Sequence, residues 1–166
     1  MTSVQLIDQG ELLTYRFEDL MRYHGPLFPG GVAHAFKVLE RALPLLGPDG
    51  PPERRAIRVV TAFRGPGARD AFELVTRAVT EDRYVVDAAL ERPDRGRALE
   101  RYVFELACRD RTVTLLLRDG IVRDEFIELS RAPDRTADQD QRLTVLKQEM
   151  AERLLSRPAT EVYDVA

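Results

Sequence analysis

In VVTAFRGPGARDAFELVTRAVTEDRYVVD, residues 59–87, two kinds of hydrophobic periodicity meet at one turn. Ala56 to Phe63 is rich in β-branched and apolar residues, which fit a pleated, half-buried surface and predict a strand. Arg64-Gly65-Pro66-Gly67 then breaks any regular element. From Ala68 to Val79 the apolar positions Ala71, Phe72, Val75, Ala78 and Val79 recur at helical spacing, and Arg83 to Leu90 returns to a strand-like pattern. A strand, a glycine turn, a helix and a second strand within thirty-five residues predict a chain of mixed class.

Toward the N-terminus, Val32, Ala35, Phe36, Leu39, Ala42, Leu43 and Leu46 trace one face of a helix over Val32–Leu46, stopped by GPDGPP at residues 47–52. Before it, Leu13, Phe17, Leu20 and Met21 predict a short helix over Glu11–Tyr23, ended by HGPLFPGG at residues 24–31. Toward the C-terminus, Arg101–Cys108 and Arg111–Leu117 read as two strands of a hairpin, with CRDR (108–111) as their connection. Phe126–Leu129 predicts an edge strand, SRAPDRTADQDQ (130–141) a polar loop, and Arg142–Leu155 a closing amphipathic helix. The expected fold is α+β: a mixed, mainly antiparallel sheet with the Val32–Leu46 and Ala68–Val79 helices packed on one face, their apolar stripes needing a shared partner. A chain of 166 residues is the common size of one domain, so residues 1–166 are expected to form one unit.

Composition excludes several function classes. With 25 Lys+Arg against 28 Asp+Glu, a formal charge of -3 gives no global attraction to a phosphate backbone, and no nucleic-acid partner is expected. No stretch approaches the roughly 18 apolar residues of a spanning helix, and the start lacks a basic and then apolar leader, so the expectation is no membrane partner and a cytoplasmic location. The single cysteine, Cys108, rules out an internal disulfide or a multi-thiolate cluster and reads as a buried strand thiol. Only Lys37 and Lys147 are lysines; the arginine bias fits GC-rich coding.

The block RFEDLMRYHGPLFPGGVAHAFKVLERALPLLG (16–47) resembles the start of the FmdE-like family of formylmethanofuran dehydrogenase, where a short helix leads into His-Gly-His-x-Cys-Pro-Gly and a long helix; His24, Gly25, Pro29 and Gly30 match. Residues 59–87 are similar to that family's strand, turn and helix around Ser-Cys-Ala-x-Asp-Ala, with Ala68, Asp70 and Ala71 matching, and LLSRPATEVYDV (154–165) is similar to its domain terminus. The departures fall on the metal ligands. Pro26 stands where the family has its second His, Phe28 where it has the first Cys, and Gly67 where it has the second. These replacements cannot build the thiolate and imidazole site, so neither a metal nor another cofactor is expected. The zinc ribbon of longer members has no counterpart, and the chain is expected to be the core domain alone.

The resemblance places the site at the two glycine turns. His24 would move a proton, Asp70 would orient it, and the turn of Arg64, Gly65 and Gly67 with Arg69 would hold an anion through cationic side chains and the positive end of the following helix. Phe28 would wall an organic substrate, and His34, one turn into the long helix, would also reach it. His24, Arg64 and Asp70 are expected to converge on one pocket. The resulting expectation is a metal-independent enzyme of bacterial secondary or peripheral metabolism that acts by acid/base chemistry on a small anionic, carboxylate-bearing substrate, with a homodimer implied by the family and by the apolar hairpin Arg101–Leu117. The alternatives are a non-catalytic ligand-binding or accessory protein on the same fold, and a metalloprotein with a site rebuilt from His24, His34 and Asp70.

Overall fold

The computed structural model describes residues 2–166, and its elements begin with a hairpin where a helix was expected. Strands β1 (Val4–Asp8) and β2 (Glu11–Tyr15) pair antiparallel across Gln9 and Gly10, both at positive φ, 51° and 83°. A two-residue turn of that handedness matches the twist of the flanking strands, and it outweighs the helical spacing of Leu13 with Phe17. The helix that follows, α1 (Phe17–His24), is shortened accordingly and stops at Gly25, φ 90°.

Helix α2 (Pro29–Leu46) is longer than expected because Pro29 serves as its first residue, where a missing N–H costs nothing. Strand β3 (Ile57–Thr61) and helix α3 (Pro66–Thr76) follow the same rule, with Pro66 opening the helix. Strand β4 (Tyr84–Val86) is only three residues long, because Asp87 caps a 3-10 turn over Ala88–Leu90 by accepting the Ala89 N–H. The expected hairpin is present as β5 (Val103–Cys108) and β6 (Arg111–Leu117).

Two expectations fail beyond it. Phe126–Leu129 lies inside helix α4 (Asp124–Arg131), whose first turn carries Asp124 and Glu125 as acidic partners for the helix dipole. The expected loop 130–141 holds the end of α4 and the start of α5 (Ala137–Leu155), nucleated by a capping box in which Thr136 and Gln139 bond each other's backbone N–H groups. The last strand, β7 (Tyr163–Val165), pairs with β6.

The main sheet runs β4-β3-β5-β6-β7, with β3 and β4 parallel and all other pairs antiparallel. It is therefore mixed and mainly antiparallel, and the fold is α+β. Ile57, Val59, Phe104, Leu106, Val113, Leu115, Leu117 and Tyr163 form its buried face, against α2 and, through Phe72, α3. Helix α5 packs on α2, and α1 on α2 and α3. On the opposite face Arg58 and Thr112 are exposed and Val60, Glu105, Ala107, Thr114 and Leu116 half-buried. No helix of the described residues is long and apolar enough to cross a membrane.

Candidate functional site

Two of the turn glycines, Gly31 and Gly67, mark the place where two helix ends abut. A Cβ on Gly67 would lie 2.6 Å from the Phe28 carbonyl oxygen, and one on Gly31 would lie 3.2 Å from the Ala68 nitrogen. Hydrogen at Gly67 is what lets α2 and α3 bring their N-termini together, and at Gly31 a side chain would be tight. Neither helix has a side-chain N-cap or an acidic residue in its first turn, so the partial positive charge of both ends is left uncompensated by the chain.

Beside this junction lies a cavity of about 260 Å³. The helix ends contribute Phe28, Gly30 and Gly31 from one side and Phe63, Arg64, Gly65, Pro66 and Gly67 from the other. Arg101 and Tyr102 form its floor, and α4, α5 and the loop between them close it with Phe126, Ile127, Ser130, Arg131, Arg135, Leu143, Lys147 and Met150. Five of these residues are cationic and none carries a carboxylate. Three of the cations are already paired: Arg101 with Glu91 at 3.3 Å, Arg131 with Glu100 at 3.3 Å and Arg135 with Asp140 at 2.7 Å. Arg64 and Lys147 have no carboxylate within 4.0 Å among the described residues.

Lys147 projects from α5 over the ring of Phe28, its Nζ 4.2 Å from the ring centroid. Burial in this apolar wall holds its ammonium pKa below the usual lysine value, and the nearby Arg135 charge pushes the same way. Aromatic rings build the floor: Phe63 stacks on Tyr102 at 4.9 Å, and Tyr102 packs at a tilt on the fully buried His34 at 4.5 Å.

The expected convergence is met in part. His24, the last residue of α1, pairs through Nδ1 with Asp70 Oδ2 at 2.8 Å, joining α1 to α3. Its side chain is 6% exposed and its Nε2 is buried without a partner. Neither residue lines the cavity, whereas Arg64, Gly65, Gly67 and Phe28 do. Phe28 is the link, since its ring centroid lies 5.8 Å from that of His24 and the same residue forms the cavity wall. No family model matches the chain, and no curated protein matches it.

Two further expectations need correction. His34 does not reach the cavity: it lies beneath the floor, its Nδ1 2.8 Å from the Tyr163 hydroxyl and its Nε2 3.4 Å from Met150 Sδ. Complete burial lowers its pKa to about 3, so it is a neutral core residue. Arg69 points away as well, with 57% of its side chain exposed and 4.0 Å from Asp70. It is absent from the cavity wall, whereas Arg64, also exposed, lines it.

The residues present do not fit the metal site of the resembled family. Phe28 and Gly67 offer no donor atom, and no cluster of three or more His, Cys, Asp or Glu side chains suited to a metal occurs among the described residues. Cys108 is buried at the far end of β5, where burial raises its thiol pKa. The sequence did not point to Lys147, Arg101, Arg131, Arg135, Tyr102 or Met150 as site residues. Only Lys147 left a signal, as one of two lysines among many arginines.

Proposed function

We propose that the chain binds a small organic anion, an apolar body bearing a carboxylate, in the cavity between the N-termini of α2 and α3. The observation that carries this reading is the lining: aromatic and aliphatic walls, five cations, no carboxylate, and two cations, Arg64 and Lys147, without a partner among the described residues. Arg64 is exposed at the cavity mouth and Lys147 is half-buried, so both are free to form charge-assisted contacts with an anionic ligand. The apolar walls supply the area that holds the rest of the ligand, as in ordinary small-molecule sites. Titration calorimetry with 3-phenylpropionate tests this: binding that weakens with salt and with Arg64→Ala is expected, and equal affinity for the neutral amide of the same acid would overturn it.

Acid/base catalysis on that anion, with His24 as the proton carrier and Asp70 orienting it, is a second reading favoured by one observation. The imidazole is held by Asp70 at 2.8 Å while its Nε2 is buried and unbonded, and the Phe28 ring, 5.8 Å away between centroids, also lines the cavity. Displacement of the Phe28 ring would bring the free nitrogen to a bound ligand. Proton exchange at the α-carbon of a bound carboxylate, followed by NMR in deuterated solvent, should then vanish in His24→Gln and persist in Lys147→Arg.

The relation to the FmdE-like family is also a proposal. It is supported by the contact between Phe28 and Gly67, which occupy the two positions where that family carries cysteines. A cytoplasmic location belongs to the same proposal.

A further inference from the structure

Among the described residues the cavity wall carries one amine, Lys147, and its surroundings suit it to covalent chemistry. Of the two lysines, Lys37 is 2% exposed and donates to Glu40 Oε1 at 3.1 Å and to the Arg157 carbonyl at 2.6 Å, so it is committed to holding α2 against the chain after α5. Lys147 makes no hydrogen bond and no ion pair among the described residues, and it lies in the cavity wall with Arg64 and Arg135. An amine is nucleophilic only when unprotonated, and desolvation beside other cations is how proteins obtain that form near neutral pH.

We propose that Lys147 forms an imine with a carbonyl-bearing organic anion, of the 2-oxo acid class, whose carboxylate is held by Arg64 in the same cavity. The Nζ lone pair attacks the carbonyl carbon, the carbonyl oxygen takes up a proton to give a carbinolamine, and loss of that oxygen as water leaves the C=N bond. One carbonyl and one primary amine give one imine and one water, with no oxidant or reductant consumed. This deepens the anion-binding reading and rests on it. The burial that lowers the Lys147 pKa supports the step by raising the share of free amine.

The test traps the imine. The full chain is incubated at neutral pH with phenylpyruvate and sodium cyanoborohydride, which reduces C=N to a stable secondary amine, and the adduct is mapped by peptide mass spectrometry. The α-amine is an internal reference, because a lysine of ordinary basicity is roughly two orders of magnitude less deprotonated there. The expected result is a saturable adduct at Lys147 exceeding that at the α-amine, suppressed by 3-phenylpropionate, reduced about tenfold in Arg64→Ala by loss of one charge-assisted contact, and absent at Lys147 with the neutral ketone phenylacetone. If 3-phenylpropionate binds by calorimetry but the adduct stays at the α-amine, the imine is overturned and the anion site stands. An adduct at Lys147 formed equally with phenylacetone would also overturn it, as reactivity independent of the site. If neither compound binds or reacts, both proposals fall.

Discussion

His34 shows how far one residue's meaning depends on its surroundings. Its folded-state pKa of about 3 lies below the ordinary value of 6.5, so between these limits the unfolded chain binds a proton that the folded chain refuses. Stability from this group is complete above pH 6.5 and is lost as pH falls, with a slope of up to about 1.4 kcal/mol per pH unit. Urea midpoints measured from pH 7 to pH 4 should therefore decline, and His34→Gln, which keeps a polar partner for the Tyr163 hydroxyl, should flatten that decline. At His24 the sequence suggests a turn residue with few contacts, whereas the side chain is 6% exposed and tied to Asp70. His24→Ala should cost about 1–2 kcal/mol, the range for leaving a hydrogen-bond partner unsatisfied, measurable as a lowered Tm. Arg64 is on the surface of the cavity and makes no internal bond among the described residues, so Arg64→Ala should leave Tm unchanged while weakening carboxylate binding about tenfold.

Among the elements, the junction of α2 with α3 sets the site, and glycine is what permits it. Glycine to alanine inside an exposed helix normally stabilises by up to about 1 kcal/mol. For Gly67→Ala the sign should reverse, because the new methyl group would stand 2.6 Å from the Phe28 carbonyl oxygen and force the two helix ends apart. A loss of about 1–3 kcal/mol, the scale of overpacking, is expected in chemical denaturation, along with weaker anion binding. The other end of α3 depends on Arg54, a buried guanidinium that donates to the Leu74 and Val75 carbonyls, to Asp8 and to the Tyr15 hydroxyl. It satisfies the orphan carbonyls of the helix end and ties the β1–β2 hairpin to it. Arg54→Met should cost about 2–4 kcal/mol by stranding those acceptors, read as a drop in Tm. Glu73, which forms an i,i+4 pair with Arg77 at 3.7 Å, also accepts the Thr80 N–H at 2.9 Å, so it holds the turn after α3 as well as a surface charge.

For the molecule as a whole, the expected homodimer is open to a direct measurement. The apolar set of the β5–β6 hairpin turns inward under the helices, and the opposite face mixes Val60, Ala107 and Leu116 with Arg58, Glu105, Thr112 and Thr114. Pairing of two copies is expected to use that face, and light scattering at micromolar concentration should give twice the chain mass of 18.9 kDa; the single mass would remove the dimer. Local pattern alone established the fold class, the helix after each glycine turn, strand β3 and the β5–β6 hairpin, because those segments carry periodicity that packing then agrees with. It did not show the β1–β2 hairpin, since Gln9 and Gly10 are a weak turn signal beside a coincidental helical spacing, nor α4, whose short apolar run suits either class. Of the site, Phe28, Arg64, Gly65 and Gly67 were legible at the turns, and the contact between His24 and Asp70 followed from both turns lying near one end of the sheet. It took the tertiary structure to show that His34 belongs to the core, that Arg69 faces solvent, and that Lys147 and three arginines from remote segments complete the cavity. Which side chains share a wall is set by how α4 and α5 fold back over the helix ends, and long-range packing of that kind leaves no local periodicity in the chain.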